Sequence, residues 1–135
     1  MLVLKDSTKM VVISTPGGDE VGVYFREPTT QELHQYNNEA VQRKRNKVIF
    51  RHSEAQIKFG AKIMTGIREG DCGAPDDAGN VVAISSDPKS PNYRSDWSDL
   101  IEKYAPTVIM ALGAHVFGGA EALDGEEDAE DVGQD

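Results

Sequence analysis

The alternation of apolar and polar positions near the amino terminus predicts a small antiparallel sheet. A β-branched run at residues 11–13 predicts a strand over 10–15. A Pro-Gly-Gly-Asp turn sequence follows at 16–19, after which apolar residues alternate with others over 21–26. We expect these two strands to form a hairpin, and an apolar stretch at residues 2–4 to add a third strand. Three strands are about the minimum for a small sheet with one covered face.

A change from strand alternation to helical spacing marks the first predicted helix. Thr29 and Glu32 have the spacing of a capping box, in which a hydroxyl and a carboxylate satisfy first-turn amides. Apolar positions such as Tyr36 and Ala40 then recur on one helix face. We therefore expect a helix over residues 30–47.

A second helix is predicted over residues 54–69. Ser53 and Gln56 repeat the capping spacing, the apolar residues that follow favour helical periodicity, and Gly70 supplies a helix-ending residue. The connection at residues 47–50 is expected to be either a bend or a stretch through which the two helices run together.

A third helical stretch is predicted over residues 96–117, with Ser95 as its capping hydroxyl. Pro106 disfavours helix at Ala105, so it either kinks this helix or opens a new one. The segment 107–117 is apolar on nearly all sides, which indicates a buried helix.

Residues 70–94 are rich in Asp, Gly, Pro and Ser, and they predict a long loop with one short strand near residues 81–84. Asp76, Asp77 and Asn80 crowd oxygen atoms together, but the residue order of a calcium-binding EF-hand loop is missing, so a solvated turn is favoured. Because functional sites often lie on loops, a small enzyme with its site here stays as a third hypothesis.

A chain of 135 residues has the length of one domain. The expected fold class is α+β, with an N-terminal antiparallel β-hairpin or three-stranded sheet packed on three to four helices over residues 1–119. Residues 120–135 are few in apolar side chains and rich in like charges, so we expect a disordered acidic tail.

The charge of the chain is concentrated in that tail. There are 14 basic and 23 acidic residues, and eight of the acids lie in residues 121–135, where no base occurs. The rest of the chain carries 14 bases and 15 acids and is nearly neutral. The net charge of −9 therefore does not describe the folded part.

Five bases within nine residues, from Arg43 to Arg51, form the densest basic run. This run has three interpretations. It is a solvated helix face, a nucleic-acid surface, or a site that receives the acidic tail or a partner's acids, and the solvated helix face is favoured. Trp97 is a further candidate contact, since aromatic residues are enriched in interface cores. The candidate partner-binding residues are Arg43, Lys44, Arg45, Lys47, Trp97, Glu126, Glu127 and Asp128.

Candidate catalytic chemistry is sparse. His34, His52 and His115 are scattered, and Cys72 is the single cysteine, which fits a reducing compartment. No serine lies in a nucleophile-elbow sequence, so we predict no catalytic, cofactor-binding or metal-binding residue and no cofactor. Neither a basic leader followed by an apolar segment nor a run of roughly 18 apolar residues occurs, so we expect no membrane contact.

The order of these features resembles the tail assembly chaperones of long-tailed bacteriophages and prophages. The features that match are an N-terminal hairpin that ends in the stretch 24–33, a two-helix middle, the loop at 76–82, and a closing helical stretch from Trp97 through Pro106 to Phe117. Together they cover most of residues 10–118.

This resemblance implies a non-enzymatic factor of the host bacterial cytoplasm. Members of the family bind the tape measure protein and keep its apolar helical faces from aggregating until tail tube subunits polymerise around it. The implied partners are the tape measure protein and, second, the tail tube protein, and a homo-oligomer is left open. The alternative is a small nucleic-acid-binding regulator that uses the basic run from Arg43 to Arg51.

Overall fold

The structure is a computed structural model that describes residue 1, residues 8–118 and the backbone of residues 125–128. In chain order the elements are β1 (Lys9–Ser14), β2 (Glu20–Phe25), α1 (Thr30–Ala40), β3 (Val41–Lys44), β4 (Lys47–Phe50), α2 (His52–Ile63), β5 (Met64–Ile67), β6 (Gly73–Pro75), β7 (Val81–Ala83), α3 (Trp97–Tyr104), α4 (Pro106–Phe117) and β8 (Gly125–Asp128). Helices are combined with small antiparallel sheets, which confirms the α+β class.

The N-terminal hairpin forms as predicted. Strands β1 and β2 pair antiparallel with Val11 opposite Val23, and the amide of Thr15 donates to the carbonyl oxygen of Asp19 across the turn. Gly18 takes a φ of 89° in this turn, a conformation that glycine adopts without steric cost. The predicted strand at residues 2–4 falls outside the described residues, and β5 is the third strand of this sheet.

The first helix begins at its predicted cap but is much shorter than expected. The Thr29 hydroxyl accepts from the Glu32 amide at 3.1 Å, and the Thr29 amide donates to the Glu32 carboxylate at 2.9 Å. The prediction of helix over 30–47 is wrong beyond Ala40, because residues 41–50 form the β3–β4 hairpin. Its β-branched and aromatic residues favour strand, and Arg45, with a φ of 58°, makes the turn.

The second helix also gives way to a strand. It begins at His52, with Arg51 rather than Ser53 at the cap position, and ends at Ile63, so the prediction of helix up to residue 69 is wrong. Residues of β5 pair with β2 instead, with Val23 opposite Ile67. Pairing in a buried sheet here outweighs the local helical spacing of apolar residues.

Two helices replace the single predicted stretch over 96–117. Helix α3 ends at Tyr104, Ala105 lies between the helices, and Pro106 is the first residue of α4. Proline is favoured at this position because its missing N–H would have no intrahelical partner there. Of the two alternatives, Pro106 therefore opens a new helix.

Helix α4 lies in the core, where it packs most extensively against α2. Ile109 and Leu112 are completely buried, as are Phe59 and Ile63 of α2. The two backbones approach so closely at Gly113 that a β-carbon there would lie 2.2 Å from the carbonyl oxygen of Gln56. The apolar pattern of residues 107–117 thus correctly indicated a buried helix.

The long loop contains two short strands, β6 and β7, where one was expected. Asp76 organises the turn between them, since its carboxylate accepts from the amides of Ala78 and Asn80, both at 2.9 Å. The acidic and glycine residues here form a turn, as predicted. Farther along, the amide of Ser85 donates to the carbonyl oxygen of Asn92, which closes the rest of the loop.

The acidic tail was expected to be disordered, and for four residues this is wrong. Residues 125–128 form β8, which pairs antiparallel with β4 and extends the β3–β4 hairpin to three strands. The other predicted tail positions, 120–124 and 129–135, lie outside the described residues. In the part of the chain that the structure describes, no helix has the length and apolar content to cross a membrane.

Candidate partner-binding surfaces

Four of the predicted contact residues lie together on one hairpin. Arg43 and Lys44 end β3, Arg45 makes the turn, and Lys47 begins β4, so this group, which we call the basic hairpin (residues 41–50), replaces the predicted basic helix face. All four side chains are exposed. Lys44 and Lys47 lie directly opposite each other in the ladder, an arrangement that destabilises a strand pair when both charges are unscreened.

The three predicted acidic contact residues reach the outer edge of this hairpin. In the β4–β8 ladder, Asp128 is opposite Lys47, Glu127 opposite Val48 and Glu126 opposite Ile49. The fold thus brings together seven of the eight candidate residues in one three-stranded sheet. The backbone of residues 125–128 therefore lies beside the basic hairpin.

Trp97 does not belong to this sheet. It is the first residue of α3 and is half-buried against the larger core, which includes Ile101 and Val108. Its packing there is the ordinary role of a large aromatic residue in a small core.

The histidines that sequence reasoning considered for catalysis lie on different elements. His34 is exposed on α1, His52 stacks on Phe50 with ring centroids 6.1 Å apart, and His115 packs edge-on against Phe25. Among residues 8–118, no three His, Cys, Asp or Glu side chains are grouped closely enough to hold a metal ion.

Sequence reasoning missed an open groove between β6 and α3. Its volume is about 810 Å³, and its walls are mainly apolar. Tyr104 stands at its rim with 72% of its surface exposed, and Leu100 lies half-buried one turn earlier on the same helix. The apolar lining residues are Val21, Ala74, Pro75, Ile84, Leu100, Ile101, Tyr104, Ala105 and Val108.

Asp71, a polar residue that lines this groove, is hydrogen-bonded to other groups of the chain. The Asp71 carboxylate accepts from the Gly22 amide at 2.8 Å and from the Arg68 guanidinium at 2.7 Å. These two hydrogen bonds, the backbone one first, lower the pKa of Asp71. Burial, followed by the charge of Asp71, raises the pKa of the neighbouring Cys72 thiol, so this thiol is protonated and poorly reactive at neutral pH.

The groove could have been found only in part from the sequence. The spacing of Trp97, Leu100, Ile101 and Tyr104 indicates an apolar face on α3. The opposite wall comes from β6 and Ile84, which lie in the segment predicted to be mostly loop. Nothing in the local pattern indicates that Tyr104 stays exposed.

No protein-family model matches this chain, and searches of curated proteins and of solved structures returned no significant match.

Proposed function

We propose that this chain is a tail assembly chaperone of a long-tailed phage or prophage, which binds the tape measure protein in the host bacterial cytoplasm and catalyses no reaction. The order of sequence features over residues 10–118 supports this proposal through its resemblance to that family. The structural observation that carries it is the open apolar groove beside α3, with Tyr104 at its rim.

A chaperone for a helical partner needs a surface that accepts apolar side chains and releases them later. Recognition of amphipathic helices in apolar grooves uses anchors one turn apart, and the groove offers Leu100, Ile101 and Tyr104 on one helix face as complementary contacts. Tyr104 suits such a contact because it combines a large apolar ring with a hydroxyl and loses little conformational entropy on binding.

The experiment that tests the proposal is co-expression with the tape measure protein encoded nearest to this gene, followed by size-exclusion chromatography. We expect the two proteins to co-elute and the tape measure protein, insoluble when expressed alone, to stay in solution. The same experiment without residues 120–135 determines whether the acidic tail takes part. If the tape measure protein precipitates in the presence of the full chain and the two separate on the column, the proposal is wrong.

A further inference from the structure

The outer edge of β4 is the feature that points beyond the proposed function. In the three-stranded sheet, β4 pairs with β3 on one side and with β8 on the other. Without β8, the outer edge of β4 would present unpaired amides and carbonyls, which readily bind another extended segment. Residues 125–128 therefore cover a surface that is otherwise competent to add a strand.

Charge makes this edge selective for acidic segments. One row of register positions across the three strands holds Lys44, Lys47 and Asp128. Strand β8 therefore places an acidic residue next to two bases that lie opposite each other. Arg43 and Arg45 add positive charge at the same end of the hairpin. An incoming strand that carries acids at these positions relieves like-charge repulsion, whereas a basic strand would increase it.

The chain also delivers the acidic strand to this edge over a short path. The carbonyl oxygen of Gly118 accepts from the Tyr36 hydroxyl at 3.0 Å, and α1, which carries Tyr36, runs directly into β3. Gly125 pairs with Phe50 at the base of the hairpin, where the Arg51 amide donates to the Ala40 carbonyl oxygen. Only six residues separate Gly118 from Gly125, a tether that spans at most about 25 Å and keeps the local strand concentration high.

We propose that the outer edge of β4 is a binding site for an acidic extended segment of a protein partner, and that residues 125–128 of the same chain occupy this site and control access to it. This assignment does not depend on the chaperone proposal. The cis strand and a partner's acidic strand would compete for the same backbone groups and the same bases.

The experiment uses the full chain with Glu126→Gln, Glu127→Gln and Asp128→Asn together. The matched control carries Glu130→Gln, Asp131→Asn and Asp135→Asn, which remove the same charge outside β8. Amide hydrogen exchange is measured at residues 47–50. We expect exchange at this edge to be on the order of tenfold faster in the β8 variant, because the charge attraction between the acidic strand and the basic hairpin is lost, and unchanged in the control.

A labelled synthetic peptide with the sequence of residues 121–131 tests binding in trans. It should bind the β8 variant but not the wild-type chain or the control, and high salt should weaken its binding because the charges are screened. The same peptide methylated on the amides of residues 126 and 127 keeps every charge, and its binding should be lost because it cannot pair with β4.

Three results would overturn the proposal. In the first, the β8 variant and the control exchange at the same rate. In the second, the methylated peptide binds as well as the unmodified one, which would make the contact purely electrostatic. In the third, the wild-type chain is a dimer that the β8 variant does not form, which would mean that β8 pairs between copies rather than within one chain.

Discussion

The hydroxyl of Tyr36 donates a hydrogen bond to the carbonyl oxygen of Gly118, 82 residues later in the chain. The Tyr36 ring also stacks on Phe117 at 4.8 Å and meets Phe59 edge-on at 5.8 Å. These contacts form a second, smaller core that joins α1 to α2 and to the end of α4. The basic hairpin and the start of the tail are thereby held near each other.

Replacement of Tyr36 by Phe removes the hydroxyl and its hydrogen bond to Gly118, while the ring and its packing remain. We expect the free energy of unfolding to fall by about 0.5–1.5 kcal/mol, the usual contribution of a hydrogen bond in a partly buried site. Urea denaturation measures this change. Tyr104→Phe is the matched control and should leave stability unchanged, because the Tyr104 side chain is largely exposed; equal effects of the two changes would contradict the prediction.

The close contact between α2 and α4 predicts an unusual response to Gly113→Ala. In an exposed helix interior this change stabilises by up to about 1 kcal/mol. Here the added β-carbon would lie 2.2 Å from the carbonyl oxygen of Gln56, so the helices must separate. We expect a loss of about 1–3 kcal/mol in thermal or urea denaturation. A stabilised variant would show that the helices are not packed this closely.

The ion pair between Arg26 and Glu32 predicts a pH-dependent contribution to stability. Two hydrogen bonds of 2.8 Å join the guanidinium to the carboxylate, and the Thr29 amide donates to the same carboxylate. The Arg26 hydrogen bonds, with a smaller effect from Thr29, lower the pKa of Glu32 to about 2. Because this pKa lies below the ordinary value, the folded state is favoured while Glu32 is ionised.

The contribution is therefore complete above about pH 4.5 and is lost as the pH falls toward 2. Glu32→Gln should lower the free energy of unfolding by about 1 kcal/mol at pH 7, a modest value because the Arg26 side chain is 43% exposed and the pair is screened. The difference from the wild-type chain should shrink in urea titrations at pH 4 and 3 and be small near pH 2, where half of the folded-state carboxyl is protonated. A difference that stays constant with pH would exclude the ion pair as its cause.

Sequence pattern predicted those parts of the fold whose determinants are local. The hairpin turn before Val21 and the capping box at Thr29 each depend on a few neighbouring residues and form as expected. For Pro106 the local pattern left two alternatives, and the structure shows that it opens α4. The apolar spacing of residues 41–47 and 64–67 predicts helix, because this spacing suits either structure. For residues 64–67 the deciding strand partner, β2, is distant in sequence, whereas β3 and β4 pair with each other as a hairpin.

The candidate surfaces likewise combine features that are visible in the local sequence with features that depend on contacts distant in sequence. The charges of the basic run and of the tail are visible in the sequence, and their interaction could be suggested from complementarity. Their meeting on adjacent strands depends on β8 pairing with β4, a contact more than 70 residues apart. The groove beside α3 depends on β6 and Ile84, whose positions are set by tertiary packing.

Tyr104→Ala tests whether the groove binds the tape measure protein. We expect the affinity for the tape measure protein to fall about tenfold or more, so that co-elution is lost or reduced. Exposed aromatic residues at groove rims are frequent binding hot spots. Tyr93→Ala is the matched control, because Tyr93 is also exposed but does not line the groove. Equal binding by the two variants would place the contact elsewhere.

Replacement of Arg43, Lys44 and Arg45 by Ala separates the chaperone proposal from the nucleic-acid alternative. The affinity of nucleic acid for the basic hairpin would fall steeply as the salt concentration rises, and binding would be lost in this variant. A matched control removes three exposed lysines elsewhere, at Lys9, Lys62 and Lys89. We expect co-elution with the tape measure protein to persist in both variants, because the groove holds none of these residues.

The nucleic-acid measurement completes this comparison. Binding of labelled duplex DNA and of single-stranded RNA is titrated at 50 mM and 200 mM salt, concentrations between which a contact with several phosphates loses orders of magnitude in affinity. We expect no salt-dependent binding by the wild-type chain, because the acidic strand beside the basic hairpin repels phosphates. Tight low-salt binding that the hairpin variant loses and the control retains, together with failure to solubilise the tape measure protein, would favour the regulator over the chaperone.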